Sequence, residues 1–451
     1  MINRGTVKQA LRIDVAMSSE MANALELWAS MYGNNPPWVN SSVRSLNLPA
    51  AISGEIARAA TIEARVEISG SARADWLSVQ FERVMDALRE QVEKGAAKGG
   101  LIFKPYVSGA NLAIDYVQAD MFYPVKFDAS GRISAAVFAD QRQDGDNFYT
   151  RLEYHELTSA GYIIRNQAYK SSNRDNLGQP VDLSVVGDWA ELQPEAMITG
   201  IDRPLFAYFR FPQANNIDPA SPLGVSCYSR AVEQIEQADR LWSDFLWEFE
   251  SGQRALYADV ASFKKDKDGN PILPHRRLYR TLDMGGTNDS LFEEWTPTLR
   301  QAEYLAGLDA ILKRIEFSCG LAYGVLSNPQ TVDKTATEIK ISRQRTYATI
   351  SDTQKALKVA LEDLLYAMDI WATLYRLAPS GAFSVAFQWD DSVIVDKDAQ
   401  FQQDLRLVSQ GLMSKTEFRM RNFGEDEKTA RAKIAEVQAE RPQEADMFQG
   451  A

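Results

Sequence analysis

The sequence predicts an α+β fold in which a β-rich N-terminal half is followed by several long helices. Helical periodicity over 75–96 gives way to short alternating runs between 100 and 210. Two helical stretches, 226–250 and 298–323, then flank a segment with turn and strand signals. A third stretch continues from 335 to 377 without Gly or Pro. The prediction rests on a hydrophobic period that changes from helical to alternating and back again.

The N-terminal half begins with helices predicted over 17–31 and 75–96. In the second, apolar side chains recur at three- and four-residue steps: Trp76, Val79, Phe81, Val84, Leu88 and Val92. From residue 100 the apolar and polar residues alternate, as at 135–138 and 162–164, and the turn-forming cluster 144–147 separates two such runs. This alternation predicts a β meander.

The stretch 226–250 predicts a helix of about 25 residues, ~37 Å long. One stripe is apolar, formed by Tyr228, Ala231, Ile235, Ala238, Trp242, Phe245 and Phe249. The opposite side carries the charged residues Glu233, Glu236, Arg240, Asp244 and Glu248. Six acids against two arginines give this stretch a net charge of −4.

A second helix is predicted over 298–323, with an apolar face formed by Leu305, Leu308, Ile311 or Leu312, Ile315, Cys319 and Ala322. The irregular segment between the two helices, 251–297, has a strand-like run at 255–257 and a turn at 266–271. Its stretch 254–280 contains seven Lys or Arg and three Asp, for a net charge of +4. The sequence therefore predicts a two-helix stalk with a basic, β-containing tip.

The segment 325–333 contains Pro329 and predicts a loop. Thr335 and Glu338 match a capping box that opens the third helix. The first half of that helix, 340–355, is polar and net basic. Its second half is predicted to be buried through Leu357, Leu361, Leu364, Met368, Trp371 and Tyr375. Strands are predicted within 380–396, and two or three short helices, one with a capping box at 414–417, in the last fifty residues.

Composition limits the compartment and the class of partner. The 451 residues exceed one ordinary core and suggest two to four modules. The sequence has no apolar run long enough to span a membrane and no secretory signal. Cys227 and Cys319 are predicted to be free, packed thiols, which is typical of a reducing compartment. Synthesis in a cytoplasm is therefore expected. The net charge of −12 argues against a tight, static DNA binder. It is compatible with DNA that slides past an acidic wall.

Catalytic motifs are absent from the sequence, and one enzymatic alternative remains. No zinc-ligand spacing, P-loop, dinucleotide fingerprint or nucleophile elbow occurs, and His155 is predicted to be structural, so neither an enzyme nor a cofactor is expected. The carboxylates of Asp390 and Asp391, with Asp396 and Asp398, could hold Mg²⁺ in a metal-dependent nuclease or DNA-processing factor. A third possibility is a scaffold whose stalk helices pair with another protein's coiled coil, although the heptads last fewer than four turns.

The order of elements and several strings resemble the portal proteins of tailed bacteriophages, in particular those of long-tailed phages and prophages of Gram-positive hosts. The residues that carry the resemblance are 224–226, LWEFESG at 246–252, 268–274, 278–280, VDKTATEIKISRQRTYATISDTQKAL at 332–357, WDDSVIVDK at 389–397 and FGEDEKTA at 423–430. The resemblance covers essentially the whole chain and is weakest in its first hundred residues.

The resemblance implies a portal fold built from an α+β wing, a two-helix stem, a small α/β clip, a long tunnel-associated helix and a helical crown. The implied bounds are 1–225 for the wing, 226–250 for the descending stem helix, 251–297 for the clip, 298–324 for the ascending stem helix, 325–337 for the tunnel loop, 338–400 for the long helix and wing strands, and 401–451 for the crown.

The implied function is a dodecameric ring at one capsid vertex of the virion, assembled in the host cytoplasm, through which double-stranded DNA is packaged and ejected. Implied partners are other copies of the chain, transiently bound DNA, the terminase large subunit, a head-completion or adaptor protein, and the major capsid and scaffolding proteins, with no membrane. Candidate DNA-channel residues are Lys334, Lys340, Arg343, Glu233, Glu236 and Asp244. Candidate partner-docking residues in the clip are Lys264, Lys265, Arg276, Arg277 and Arg280.

Overall fold

The structure is a computed structural model that describes residues 2–259, 263–268, 270–272, 279–282, 292–328, 336–389 and 397–439. Two compact units divide the chain, residues 1–388 and 389–451, and each is described by itself. Within the described ranges, no helix combines the length and apolar character needed to cross a bilayer.

Four helices of the first unit precede its main sheets, and serine side chains cap two of them. The helix bounds are Arg4–Leu11 (α1), Ser19–Tyr32 (α2), Leu48–Thr61 (α3) and Ala72–Lys98 (α4). Ser18 accepts from the Met21 amide and Ser71 from the Ala74 amide, which satisfies otherwise unpaired N–H groups. The predicted helices 17–31 and 75–96 are thus confirmed as α2 and α4. The predicted stripe was wrong at Val79, which is 56% exposed.

The β meander is confirmed, and it forms two antiparallel sheets. One has the order β10-β2-β3, built from Gly100–Ser108 (β2), Asn111–Gln118 (β3) and Ala207–Arg210 (β10). The other contains Phe122–Phe127 (β4), Ile133–Asp144 (β5), Asn147–Thr158 (β6), Gly161–Ser171 (β7), Gln179–Val181 (β8) and Glu195–Ile198 (β9). Its order is β4-β5-β6-β7-β8, with β9 also paired to β7. Asp144 pairs with Asn147, and Gly145, with φ 57°, allows the tight turn predicted there.

His155 lies in a buried polar network within the larger sheet. Its Nε2 is 2.7 Å from a Glu153 carboxylate oxygen, and its Nδ1 is 2.7 Å from the Tyr162 hydroxyl. Burial alone would raise the pKa of Glu153, but Lys104, His155 and Arg151 hold it well below its usual range. The interpretation of His155 as a satisfied structural histidine is confirmed.

The helix predicted over 226–250 begins later than expected, at Val232, and runs to Ser251 (α5). The residues before it form turns instead of helix. The Cys227 amide donates to the Ala96 carbonyl near the end of α4, and the Tyr228 hydroxyl donates to the Trp28 carbonyl in α2. These tertiary contacts hold 226–231 against the body and override its helical periodicity.

The second stem helix is also shorter than predicted, Gln301–Cys319 (α6) instead of 298–323. Gly320 ends it in a left-handed conformation, φ 73°, with its amide bonded to the Glu316 and Phe317 carbonyls. Both cysteines are free and buried, as predicted, although Cys227 lies in a turn and not in a helix. Burial raises the pKa of the Cys319 thiol to about 12 and that of Cys227 well above its ordinary value.

Between α5 and α6, the described residues contain a three-stranded mixed sheet, which we call the tip sheet. Its strands are Ala255–Asp259 (β11), Tyr279–Leu282 (β12) and Phe292–Trp295 (β13), in the order β12-β11-β13. β12 runs parallel to β11, and β13 runs antiparallel to it. The predicted β-containing insertion is therefore confirmed.

The third helix, Ala336–Leu374 (α7), has close to the predicted length, and Thr335 lies outside the described residues. The helix packs against β2, β10, α3 and α4, and most of the apolar residues predicted for its second half are buried. The prediction was wrong for Trp371, which is only half-buried, and for Tyr375, which is 58% exposed beyond the helix end. The following strand, Ser384–Trp389 (β14), pairs with Ala64–Ser69 (β1).

The second unit contains the helices Lys397–Ser409 (α8), Lys415–Phe423 (α9) and Glu427–Ala439 (α10). The first of them begins four residues before the predicted crown boundary at 401. Ser414 Oγ accepts from the Glu417 amide at 3.0 Å, so the predicted cap is confirmed. The rings of Phe401, Phe418 and Phe423 pack together.

Candidate functional site

Helices α5 and α6 pack against each other and carry the tip sheet between them. Ile235 and Ala238 of α5, and Leu308 and Ile315 of α6, are buried. The apolar stripes predicted for the two helices therefore contribute to the core of a single subunit. Burial is incomplete toward the tip, where Leu305 is 49% exposed.

Aromatic rings continue the helix contact toward the tip sheet. Trp242 stacks on Phe245 with ring centroids 5.4 Å apart, and Phe245 meets Phe249 edge-on at 4.9 Å and Tyr304 at 6.3 Å. Such rings contribute a large apolar area and also favour these geometries. They stabilise the helix pair where it meets the tip.

An ion pair closes the same end of the stalk. The Glu248 carboxylate accepts from the backbone amide and the guanidinium of Arg300, at 2.8 to 3.2 Å. These hydrogen bonds hold the pKa of Glu248 below its ordinary value. The sequence had placed Glu248 on the open acidic side of α5, and this pairing ties it instead to the residue that precedes α6.

The three candidate acids of α5 lie on one side of the helix, as the 3.6-residue repeat requires. Glu233 and Asp244 are exposed, and no ion pair joins either of them to another residue in the described ranges. Glu236 is half-buried and pairs with Arg240 at 2.7 Å. Trp247, 63% exposed, lies on the same side closer to the tip. The acidic surface therefore extends from Glu233 to Asp244.

A further acid of α5 has a different environment, which the sequence interpretation missed. Asp239 is 1% exposed and accepts from Trp38 Nε1 at 2.9 Å and from the Leu46 amide at 2.7 Å. One turn later, Ser243 Oγ accepts from the Arg44 amide at 2.8 Å. Burial raises the pKa of Asp239 above its ordinary value. These contacts fasten α5 to the segment 38–46.

The basic residues predicted at the tip are only partly described. Lys264 and Lys265 are exposed, and Lys265 bridges to Pro271 across a turn. Arg280 lies in β12. Arg276 and Arg277 lie outside the described residues.

The turn after α6 is organised by a buried carboxylate that the sequence interpretation also missed. Glu316 is fully buried, and its oxygens accept from the amides of Gly324, Leu326 and Ser327 and from the Ser327 hydroxyl. One signal was available, because Glu316 directly follows Ile315 of the apolar stripe. The sequence gave no indication of which amides it would meet.

Helix α7 is joined to this turn near its N-terminal end. The Arg345 guanidinium lies 4.5 Å from the Phe317 ring centroid and 5.5 Å from that of Tyr323. Thr349 Oγ1 donates to the Gly320 carbonyl at 3.0 Å. The end of α6, the turn and α7 therefore form one packed junction.

The structure describes only some of the cationic channel candidates and none of the aspartate pair of the nuclease alternative. Lys340 and Arg343 lie in the first turns of α7, and Lys334 lies outside the described residues. Asp390 and Asp391, on which the nuclease alternative depends, lie outside them as well. Within the described ranges, no group of three or more His, Cys, Asp or Glu side chains could hold a metal ion.

An α+β body, a helix pair that carries a small sheet, and a long helix that packs on the body together define a portal-type α+β fold. The comparison with family models agrees with this class. The model described as "Phage portal protein, SPP1 Gp6-like" matches residues 45–446, and the chain belongs to this family. The resemblance found in the sequence is thus confirmed, and the family match gives no support to the nuclease alternative.

No curated protein matches the chain in sequence. Among solved structures, the chain is similar to one from "Neck of native GTA particle computed with C12 symmetry". The similarity covers 92% of this chain and 97% of that chain, with 12% sequence identity and a TM-score of 0.46.

Proposed function

We propose that this phage portal protein forms a ring-shaped channel at one capsid vertex, through which double-stranded DNA enters and leaves the particle. The family match over residues 45–446 is the observation that carries the proposal. That range includes the helix pair, the tip sheet and α7.

Closure of a ring needs two complementary surfaces on each subunit, because head-to-tail contacts are heterologous. Phe249 and Leu305, at the tip-ward end of the stalk, are candidates for one of these surfaces, with exposed fractions of 38% and 49%. Both continue stripes that are buried further along the same helices. A neighbouring subunit would remove them from water, which favours association.

The acidic side of α5, with Glu233, Glu236 and Asp244, is proposed to line the channel. Carboxylates repel the DNA phosphates, so a duplex would find no deep energy minimum in which to stall. Lys334, Lys340 and Arg343, repeated around a ring, would supply a weak and salt-dependent hold on DNA.

The predicted clip, 251–297, which contains the tip sheet, is proposed to dock the terminase large subunit during packaging and a head-completion protein afterwards. The candidate contacts are Lys264, Lys265, Arg276, Arg277 and Arg280. Basic side chains would steer an acidic partner surface toward the tip, and binding would then weaken with added salt.

Negative-stain microscopy and native mass spectrometry of the purified protein test the proposed ring. We expect closed annuli with a central hole, and a mass that is an integral multiple of the subunit mass. Monomers or dimers that cleave DNA when Mg²⁺ is added, and lose this activity on Asp390→Asn with Asp391→Asn, would instead support the nuclease alternative.

Charge reversal tests the proposed contact with DNA. Lys334→Glu combined with Lys340→Glu is expected to lower DNA retention or packaging yield in complemented phage. The control is Lys355→Glu, an exposed lysine of the same helix about 22 Å from Lys340. Equal yields for the double variant, the control and the wild type would remove these lysines from the proposal.

A further inference from the structure

The Glu316 carboxylate is the centre of the turn that follows α6. Oε1 accepts from the amides of Leu326 at 2.6 Å, Ser327 at 2.9 Å and Gly324 at 3.0 Å. Oε2 accepts from the Ser327 hydroxyl at 2.8 Å. The carboxylate is fully buried, so these groups replace all of its water.

Burial of the Glu316 carboxylate carries a free-energy cost that packing of α6 alone would not require. In the described ranges, no Lys or Arg lies within ion-pair distance of Glu316, so its charge is balanced by backbone N–H dipoles and one hydroxyl. Burial of a charge without a cation is unfavourable unless every acceptor site is well used. Removal of the carboxylate, in turn, takes the side-chain acceptor away from the amides of Leu326 and Ser327, whereas the Gly324 amide keeps the Ser327 hydroxyl as a second acceptor at 3.1 Å. The side chain and the turn therefore depend on each other.

Contacts on either side of the turn hold it in the same conformation. The Asn328 amide donates to Asp309 Oδ1 at 2.8 Å, and Asp309 lies about two helical turns before Glu316 in α6. The Leu321 amide donates to the Glu316 carbonyl at 2.8 Å. Arg345 of α7 covers Tyr323. The backbone from 320 to 328 is thus fixed against α6 at its beginning, middle and end.

We propose that Glu316 is a positioning residue, which sets the direction in which the chain leaves the stem for the predicted tunnel loop, 325–337. This inference rests on the proposed function, because that loop was predicted to meet DNA. Because residues 324–328 are bonded to α6 through Glu316 and Asp309, a movement of the stem helix would be transmitted to the start of the loop. A turn held by solvent-exposed contacts would not transmit it in the same way.

Three variants grade the perturbation in the assembled full-length protein. Glu316→Ala removes all four bonds, Glu316→Gln leaves a weaker neutral acceptor, and Ser327→Ala removes only the hydroxyl. Glu303→Gln, an exposed acid of the same helix, is the matched control. Hydrogen exchange of peptides that contain residues 324–327 is expected to accelerate at least about tenfold for Glu316→Ala, less for Glu316→Gln, and least for Ser327→Ala.

DNA retention in complemented phage provides a readout that a merely structural role would not move. We expect rings of Glu316→Gln to form as in the wild type but to retain DNA poorly, whereas Glu303→Gln retains it normally. Unchanged exchange in Glu316→Gln overturns the inference. Faster exchange in Glu316→Gln together with normal DNA retention also overturns the inference, although the proposed channel would then still stand. If the wild type forms no ring, the proposed function fails, whereas the exchange result alone still decides whether Glu316 holds the turn.

Discussion

The buried contact between Asp239 and Trp38 offers the sharpest quantitative test of how the stem helix is held. Asp239→Ala removes the acceptor of two buried donors, Trp38 Nε1 and the Leu46 amide. A hydrogen bond to a charged group contributes about 1.5–3 kcal/mol, so the two together contribute about 3–6 kcal/mol. Relief from burying a carboxylate offsets part of this. We expect a net loss of about 3 kcal/mol in the free energy of unfolding.

A double-mutant cycle isolates the side-chain bond. Trp38→Phe removes the indole N–H and also reduces the side-chain volume, a cost that the cycle subtracts because it is common to both backgrounds. Its combination with Asp239→Ala should show a coupling energy of about 1.5–3 kcal/mol. Unfolding in urea is followed by circular dichroism at fixed protein concentration, since assembly would otherwise shift the midpoint. The control is Asp244→Ala, an exposed acid of the same helix, with an expected effect below about 0.5 kcal/mol. A coupling near zero, or equal effects at Asp239 and Asp244, would refute the reasoning.

The raised pKa of Asp239 adds a pH dependence to the same test. Between the unfolded and the folded pKa, the native state binds more protons than the unfolded state, so stability falls as pH rises through that interval. Asp239→Asn cannot titrate, and its stability should lack this decline. Parallel pH profiles for the wild type and Asp239→Asn would contradict the assigned burial.

Three further predictions concern other parts of the molecule. Leu305→Asp should raise the concentration needed for ring assembly at least about tenfold in native mass spectrometry, because burial of a half-exposed leucine contributes roughly 1–1.5 kcal/mol and a buried charge opposes association. The control Ala306→Asp, at an exposed position about 100° further around α6, should leave that concentration unchanged. Gly320→Ala should lower the free energy of unfolding in urea by about 1–3 kcal/mol, because the residue has a left-handed conformation and the alanine Cβ would lie 2.3 Å from Thr349 Oγ1. No change in stability would contradict the described end of α6. Hydrogen bonds from Arg419 lower the pKa of Glu425 to about 2, so the stability that they contribute is present above pH 4.5 and is lost as the pH falls toward 2. Arg419→Met should raise the pKa of Glu425 in an NMR titration, and an unchanged pKa would exclude the ion pair.

Periodicity predicted most of the regular structure because the corresponding segments bury one continuous face. The meander and the helices α4 and α7 are of this kind, and the 39 residues of α7 could be predicted because no Gly or Pro interrupts them. The family resemblance added the order in which the parts follow one another. The family match confirms the recognition.

Errors arose where tertiary contacts decide against a local pattern. Residues 226–231 continue the helical period of α5, yet Tyr228 turns inward to donate to the Trp28 carbonyl. Tyr375 fits the period of α7 but lies beyond its last turn, where Arg376 has a left-handed conformation, φ 54°. Buried acids are a second kind of omission. Asp239 is a surface residue by type, and only the three-dimensional structure shows that it meets Trp38.

An asymmetric cryo-electron microscopy reconstruction of DNA-filled particles tests the central claim most directly. The account predicts density for this chain as a ring at a single vertex, with α5 beside the DNA and Glu233 and Asp244 directed toward it. Density for the chain at every vertex, or a ring whose hole is lined by the tip sheet and the β meander without α5, would contradict it.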